Sequence, residues 1–151
     1  MLELPVYEIA KPSSNKDIYL EEIFQNFLSE IKSGARFGRC GNEMISKNEI
    51  FKFPKYLIIF FGRTVGDNYV SNNIKYNNKT ELSQYMCNKC SPAQFELQSV
   101  IEHRGGAHHG HYTSLCYIES ESCWYYFSDT ESPLYSDYQG RNAIILLYKS
   151  L

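Results

Sequence analysis

No stretch of the chain approaches the ~18 consecutive apolar residues that a membrane-spanning helix needs. No block of like charge runs along it either: its 15 basic and 17 acidic residues are scattered through 151 positions and leave a formal net charge of −2. A protein that tracks a phosphate backbone needs a basic stripe. Neither a membrane nor nucleic acid is therefore expected as a partner. Cysteine is sparse and odd in number, with five residues at Cys40, Cys87, Cys90, Cys116 and Cys123. The opening "MLELPVYEIAKPSS" has no basic start and no apolar run of the kind that marks a secretory signal, so free thiols fit better than a disulfide framework. The expectation is an intracellular protein of the cytoplasm or nucleus, a single domain over residues 1–151, with no cofactor. Asn78-Lys79-Thr80 matches a glycosylation sequon, which in such a protein is chance.

What is present points to strands. Hydrophobic residues make up 43% of the chain and aromatics 15%, including 13 Tyr and 9 Phe, side chains that pack well on a pleated surface. "LELPVYEI" alternates as a first strand would, and "KPSSN" closes it. In "KDIYLEEIFQNFLSEIKSG", Tyr19, Leu20, Ile23, Phe24, Phe27, Leu28 and Ile31 recur at three- and four-residue steps, which predicts a helix capped by Ser14 or Asn15 and ended by Gly34. "EIFKFPKYLIIFFGR" reads as a short strand, a break at Pro54, and a strand from Tyr56 to Phe61 apolar on both sides, hence covered on both faces. "NYVSNNIKYNNKT" reads as an edge hairpin. "QFELQSVIEHRGG", "HYTSLCYI", "CWYYFSD" and "NAIILLYKSL" then follow as strands. One early helix and several later strands predict an α+β fold, an antiparallel β-sheet with the helix packed against it.

The segment "GGAHHGHYTS", residues 105–114, holds three glycines and three histidines. Histidines crowded into one loop lack the i, i+4 spacing that aims two ligands at one metal ion. Cys87 and Cys90 are half of a zinc ribbon, and no metal site is expected. His108 and His109 read as exposed loop residues.

Taken in order, "FELQSVIEHRGGAHHGHYTSLCY", "WYYFSD" and "NAIILLYKSL" resemble the histidine-box half of the ubiquitin-specific proteases, papain-like cysteine deubiquitinases. The family pattern is Y-x-L-x-x-V-I-x-H, a Gly-rich loop, G-H-Y, W-Y-x-F-[DN]-D, and a closing L-x-Y. Upstream, "YLEEIFQNFL" is similar to the family's helix and "FPKYLIIFFGR" to its L-P-x-x-L-x-x-x-L-x-R-F segment. The resemblance implies that His111 is the catalytic histidine of a ubiquitin hydrolase. It also implies that Gly105, Gly106, Gly110 and Tyr112 border the channel for ubiquitin's extended tail.

Two departures stand out. The family's nucleophile box, G-N-x-C-[YFW], has no counterpart among these residues, and Ser128 follows Phe127 where the family has Asp or Asn. A thiol peptidase needs a thiolate, a histidine to exchange its proton and a group to orient the imidazole. If the strands on either side of "ESES" pair across an even-length turn, His111 shares a face with Trp124, Tyr126 and Ser128, and Asp129 points away unless a bulge shifts the register. Ser128 then reads either as a triad substitute or as a strand-end hydroxyl, and Asp129 as a turn former or as the orienting acid. Two functions follow. One is the histidine-bearing half of a deubiquitinase, inactive alone, whose thiol comes from a partner chain or another segment. The other is a ubiquitin-binding module that does not cut. In both, the partner is ubiquitin or a ubiquitinated protein.

Overall fold

In a computed structural model, residues 1–10, 16–88, 92–129, 134–135 and 142–151 are described. The elements run β1 (Leu2–Pro5), a 3-10 turn (Val6–Glu8), β2 (Ile18–Tyr19), α1 (Leu20–Phe27), β3 (Ile31–Arg36), β4 (Glu43–Ser46) and β5 (Tyr56–Gly62). They continue with β6 (Thr64–Val65), β7 (Asn68–Tyr69), β8 (Ile74–Lys75), β9 (Lys79–Glu81), a second 3-10 turn (Ser83–Tyr85), β10 (Gln94–Gly105), β11 (Gly110–Ile118), β12 (Cys123–Phe127), β13 (Leu134–Tyr135) and β14 (Ala143–Ser150).

An eight-stranded sheet in the order β1-β5-β14-β10-β11-β12-β13, with β9 also on β10, dominates the chain. All its pairs are antiparallel except β1 with β5. β10 is central because it is long. Its 12 residues pair with β14 along one edge and with both β9 and β11 along the other.

One face of the sheet carries the core: Leu57, Ile59 and Phe61 of β5, Leu146 and Tyr148 of β14, Val100 of β10 and Leu115 of β11 are all buried. Leu20, Ile23 and Phe24 of α1 join the same core, so the expected α+β packing holds. The opposite face, through the register row Ile58, Leu147, Ser99, Cys116 and Tyr125, is partly exposed. β5 is accordingly flanked by strands on both edges yet covered on one face only, with Tyr56 53% and Ile58 38% exposed. The doubly covered strand expected there is corrected: a run of large apolar residues satisfies alternation as readily as continuous burial.

The helix is also shorter than its apolar periodicity implies. Ile18 and Tyr19 are drawn into a parallel pairing with Ile74 and Lys75, and the Tyr19 N–H donates to the Glu22 carboxylate at 3.3 Å, closing the first turn. At the other end the Ser29 hydroxyl bonds the Asn26 carbonyl at 2.7 Å, and residues 31–36 leave as a strand with Gly34 inside it. The caps expected at Ser14 and Asn15 lie outside the described residues. The expected edge hairpin over 68–80 is instead shared out: β7 pairs with β6, β8 with β2 and β9 with β10. The first strand stops at Pro5, and the segment before Pro54 forms only an isolated bridge between Ile50 and Met86.

Tyr148 illustrates how the sheet is locked. Its ring is wholly buried and its hydroxyl donates to the Asn77 carbonyl at 2.7 Å. Burial, with smaller contributions from Tyr76 and Glu21, pushes its ionisation well above the ordinary 10.0. A raised pKa means the folded state holds this proton longer than the unfolded chain does, so the stabilisation is complete below pH 10 and lost as pH rises beyond it. Tyr148→Phe is expected to cost about 1 kcal/mol at neutral pH through the lost hydrogen bond and to flatten the decline in stability above pH 10, both read from urea unfolding.

Candidate functional site

The β10–β11 hairpin ends at the Gly105–Gly110 pair, and the loop 106–109 is closed by the Gly106 N–H donating to the His109 carbonyl at 2.8 Å. A side chain at Gly105 would meet the His109 carbonyl oxygen at 2.3 Å and Gly110 Cα at 2.4 Å. One at Gly110 would meet His103 Nε2 at 2.1 Å and the Arg104 carbonyl oxygen at 2.8 Å. These two glycines are thus required by the hairpin's own packing, whatever else they border. Gly110→Ala is expected to force the His103 ring or the hairpin aside at a cost of about 1–3 kcal/mol, read as a fall in Tm.

Beneath the hairpin lies a polar support that sequence reading missed. His103 is buried, its Nδ1 lies 3.2 Å from the Tyr69 hydroxyl, and its ring stacks at a tilt on Tyr112 with centroids 4.5 Å apart. Burial raises the Tyr69 phenol above its ordinary range, opposed by the nearby Arg63 guanidinium. Arg63, directly after β5, is only 2% exposed. Its Nε and Nη2 donate to the Ala143 carbonyl at 3.0 and 2.8 Å, and its Nη1 donates to Val70 and Asn72 carbonyls at 2.9 and 2.7 Å. It ties β14 to the strap that follows β7. Arg63 closes the quoted "IIFFGR" run; an arginine ending so apolar a segment is the signal that could have found it.

His111 is the last residue of a row on the core face of β11, after buried Leu115 and Thr113. Being beyond the edge of the core, it is 47% exposed at the side chain. The "ESES" turn has four residues, the register pairs Leu115 with Tyr126 and Tyr117 with Trp124, and the expected parity holds. His111 Nε2 lies 2.8 Å from Ser128 Oγ. Asp129 is the correction. Extended backbone would turn it away, but its φ of 45° bends the chain out of the strand, and its Oδ2 comes within 3.4 Å of His111 Nδ1. Serine, imidazole and carboxylate are thereby brought together, with a residue on each ring nitrogen.

The other candidates are distributed around this centre. Tyr112 is 59% exposed beside it. Gly106 faces the His109 ring, the nearest atom being 3.3 Å from where its side chain would begin. His108 is exposed, though not idle, since its Nε2 lies 2.9 Å from Asp67 of the β6–β7 turn. Cys116 and Cys123 fall on the opposite face of the sheet from His111, by the pairings Cys116–Tyr125 and Ile118–Cys123. Cys40 lies between β3 and β4, and the Cys87 N–H is bonded to the Ile50 carbonyl. Cys90 lies outside the described residues. Among the described residues no three His, Cys, Asp or Glu side chains are grouped to hold a metal ion, and no helix is long and apolar enough to cross a membrane.

Among the described residues, then, an antiparallel-rich sheet with a helix on its core face presents a histidine at the end of a Gly-rich hairpin. The profile of the family described as ubiquitin carboxyl-terminal hydrolase matches residues 8–148, and the chain belongs to that family. It is 29% identical to ubiquitin carboxyl-terminal hydrolase 10 of Arabidopsis thaliana over 93% of its own length and 17% of that protein. It is 24% identical to human ubiquitin carboxyl-terminal hydrolase 15 over 92% of its own length and 16% of that protein. Among solved structures, a chain of the SAGA DUB module of Ubp8, Sgf11, Sus1 and Sgf73 bound to monoubiquitin superposes with a TM-score of 0.80 at 20% identity. That match covers 99% of this chain and 35% of the other. The chain therefore spans about a sixth of these curated relatives and about a third of the solved one.

Proposed function

We propose that this chain is the histidine-bearing part of an intracellular, thiol-dependent ubiquitin hydrolase, a single partial domain over residues 1–151. His111 is its general base and Ser128 the group that orients the imidazole. The observation that carries the reading is the 2.8 Å contact between His111 Nε2 and Ser128 Oγ, on a chain of this family, in the slot where the resemblance puts the third triad member.

Neither Cys116 nor Cys123 shares the histidine's face, so the nucleophile is supplied by another segment or a partner chain. An arriving thiol needs a ring nitrogen. Asp129 holds the looser one, at 3.4 Å and with 74% of its side chain exposed, and is the group to be displaced. Ubiquitin is the expected ligand, supported by related modules that hold monoubiquitin or ubiquitin aldehyde. Exposed Tyr112 and the Gly105, Gly106 and Gly110 turn line its tail channel.

The test pairs binding with turnover. Titration with ubiquitin should move the amide resonances of Gly106, Gly110 and Tyr112. A fluorogenic ubiquitin C-terminal amide should be cleaved only when a thiol-bearing segment of a relative is added. Shifts without any turnover in the completed complex would favour a ubiquitin-binding module that does not cut. Neither shifts at high micromolar ubiquitin nor turnover would defeat both readings.

A further inference from the structure

Beyond the thiol-dependent reading, we propose that Ser128, His111 and Asp129 constitute a serine-nucleophile triad, giving this chain by itself acyl-transfer activity towards activated oxyesters. The geometry assigns the roles. A carboxylate can only accept, so Asp129 Oδ2, 3.4 Å from Nδ1 and short of a formed hydrogen bond, favours the neutral ring with its proton on Nδ1. Nε2 is then the acceptor, and the Ser128 hydroxyl at 2.8 Å donates to it. That is the tautomer and the order of contacts by which a hydroxyl is activated as a nucleophile, and such triads are defined by geometry and role, not by chain position. As the orienting group of the thiol-dependent reading, Ser128 accepts from Nε2–H once an arriving thiol has displaced Asp129 from Nδ1, so the two activities belong to two states of one site.

The local backbone suits the same task. β12 ends at Phe127, Ser128 follows, and Asp129 has a left-handed backbone with φ 45°. Ser128 is half-buried just past the strand end, and the N–H of the residue after a nucleophile, here Asp129, is a donor of the kind an oxyanion needs. His111 itself stands on a strand whose inner row is buried at Thr113 and Leu115, so the base is held on a rigid element.

In the reaction, the Ser128 Oγ–H proton passes to His111 Nε2 as Oγ bonds the acyl carbon. The tetrahedral adduct collapses by breaking the ester C–O bond, and the leaving oxygen takes the proton back from His111. Water then attacks the acyl-serine, giving a proton to Nε2, and the acyl C–Oγ bond breaks as Nε2 returns that proton to Ser128 Oγ and the carboxylic acid leaves. Because Asp129 is largely solvated, its charge stabilises the imidazolium less than a buried carboxylate would. The substrate class is therefore esters with good leaving groups, not amides.

The test treats the chain with a fluorophosphonate and follows p-nitrophenyl acetate in parallel. One phosphonyl group is expected, mapped to Ser128 by mass spectrometry, with acetate release blocked by the same adduct. His111→Ala should slow phosphonylation by about 10²-fold or more, and Ser128→Ala should abolish it while leaving Tm unchanged. Ser128→Cys should restore covalent acylation at the same position. No adduct, an adduct at another residue, or a rate indifferent to His111→Ala would overturn the proposal. A chain that takes no phosphonyl group yet cleaves ubiquitin amide with an added thiol segment overturns this activity while the thiol-dependent reading stands.

Discussion

In the complex completed by a thiol-bearing segment, His111→Ala is expected to lower kcat/KM for ubiquitin release by about 10⁴-fold or more, the scale on which triads fail when their base is removed. On that proposal KM should change little, because a general base acts on the proton and not on the hold of the ligand. The same complex carries a second, opposite expectation. Ser128 sits 2.8 Å from Nε2 and offers no charge to the imidazolium. Replacing an orienting carboxylate with a neutral group costs about 10⁴ in rate in the serine-protease template. Ser128→Asp should therefore raise kcat, by about 10²-fold at least, with the gain confined to pH values where the new carboxylate is ionised. Steady-state kinetics on a fluorogenic ubiquitin amide decide both. If His111→Ala leaves turnover intact, the base lies elsewhere and the reading of the hairpin is wrong.

Arg63→Ala is expected to be the most damaging single change to stability, about 3–5 kcal/mol, from buried carbonyls that lose a donor at about 1–3 kcal/mol each and from the void left behind. The guanidinium is buried, which weakens its hold on the proton relative to water, and it is kept there by four donor contacts to three carbonyls: Ala143, Val70 and Asn72. Truncation takes these donors away from the three buried oxygens and opens a void between β14 and the strap after β7. Arg63→Lys should recover part of the loss, since an ammonium cannot reproduce the planar fork that grips Ala143 and the strap together. Arg63→Met, which keeps the stem, separates packing from hydrogen bonding. Urea unfolding midpoints measure all three. Near-equal stability of Arg63→Met and the parent would show that the donors contribute nothing net. The strap leads back through Tyr69 to His103 and so to Gly110. Loosening Arg63 should therefore also blur the position of His111, seen as broadened amide resonances at Gly110 and His111.

Much of the tail half was legible because its strands carry their own signals. β10, β11, β12 and β14 fall on the four alternating runs, and the four-residue "ESES" turn fixes the parity that puts His111 with Ser128. Alternation is a local property, set by the pleat of each strand. Legibility fell away where distant partners decide. The apolar spacing of residues 18–31 fits a helix throughout, yet Ile18 and Tyr19 gain more by pairing with β8, and Ile31 leaves for β3. Tyr56–Phe61 is apolar on both faces, and only the absence of a second layer among the described residues leaves Tyr56 and Ile58 exposed.

The sequence by itself determined the four strands β10, β11, β12 and β14, the hairpin that delivers His111, and membership of a family of ubiquitin hydrolases, because periodicity and motif are properties of neighbouring residues. Tertiary structure alone decided that Asp129 turns back onto the imidazole, that Gly110 is filled by His103, and that a buried arginine 40 positions upstream of His103 braces the whole hairpin. Those outcomes depend on one backbone torsion beyond a strand end and on carbonyls contributed by segments far apart in the chain, neither of which leaves a pattern in local composition.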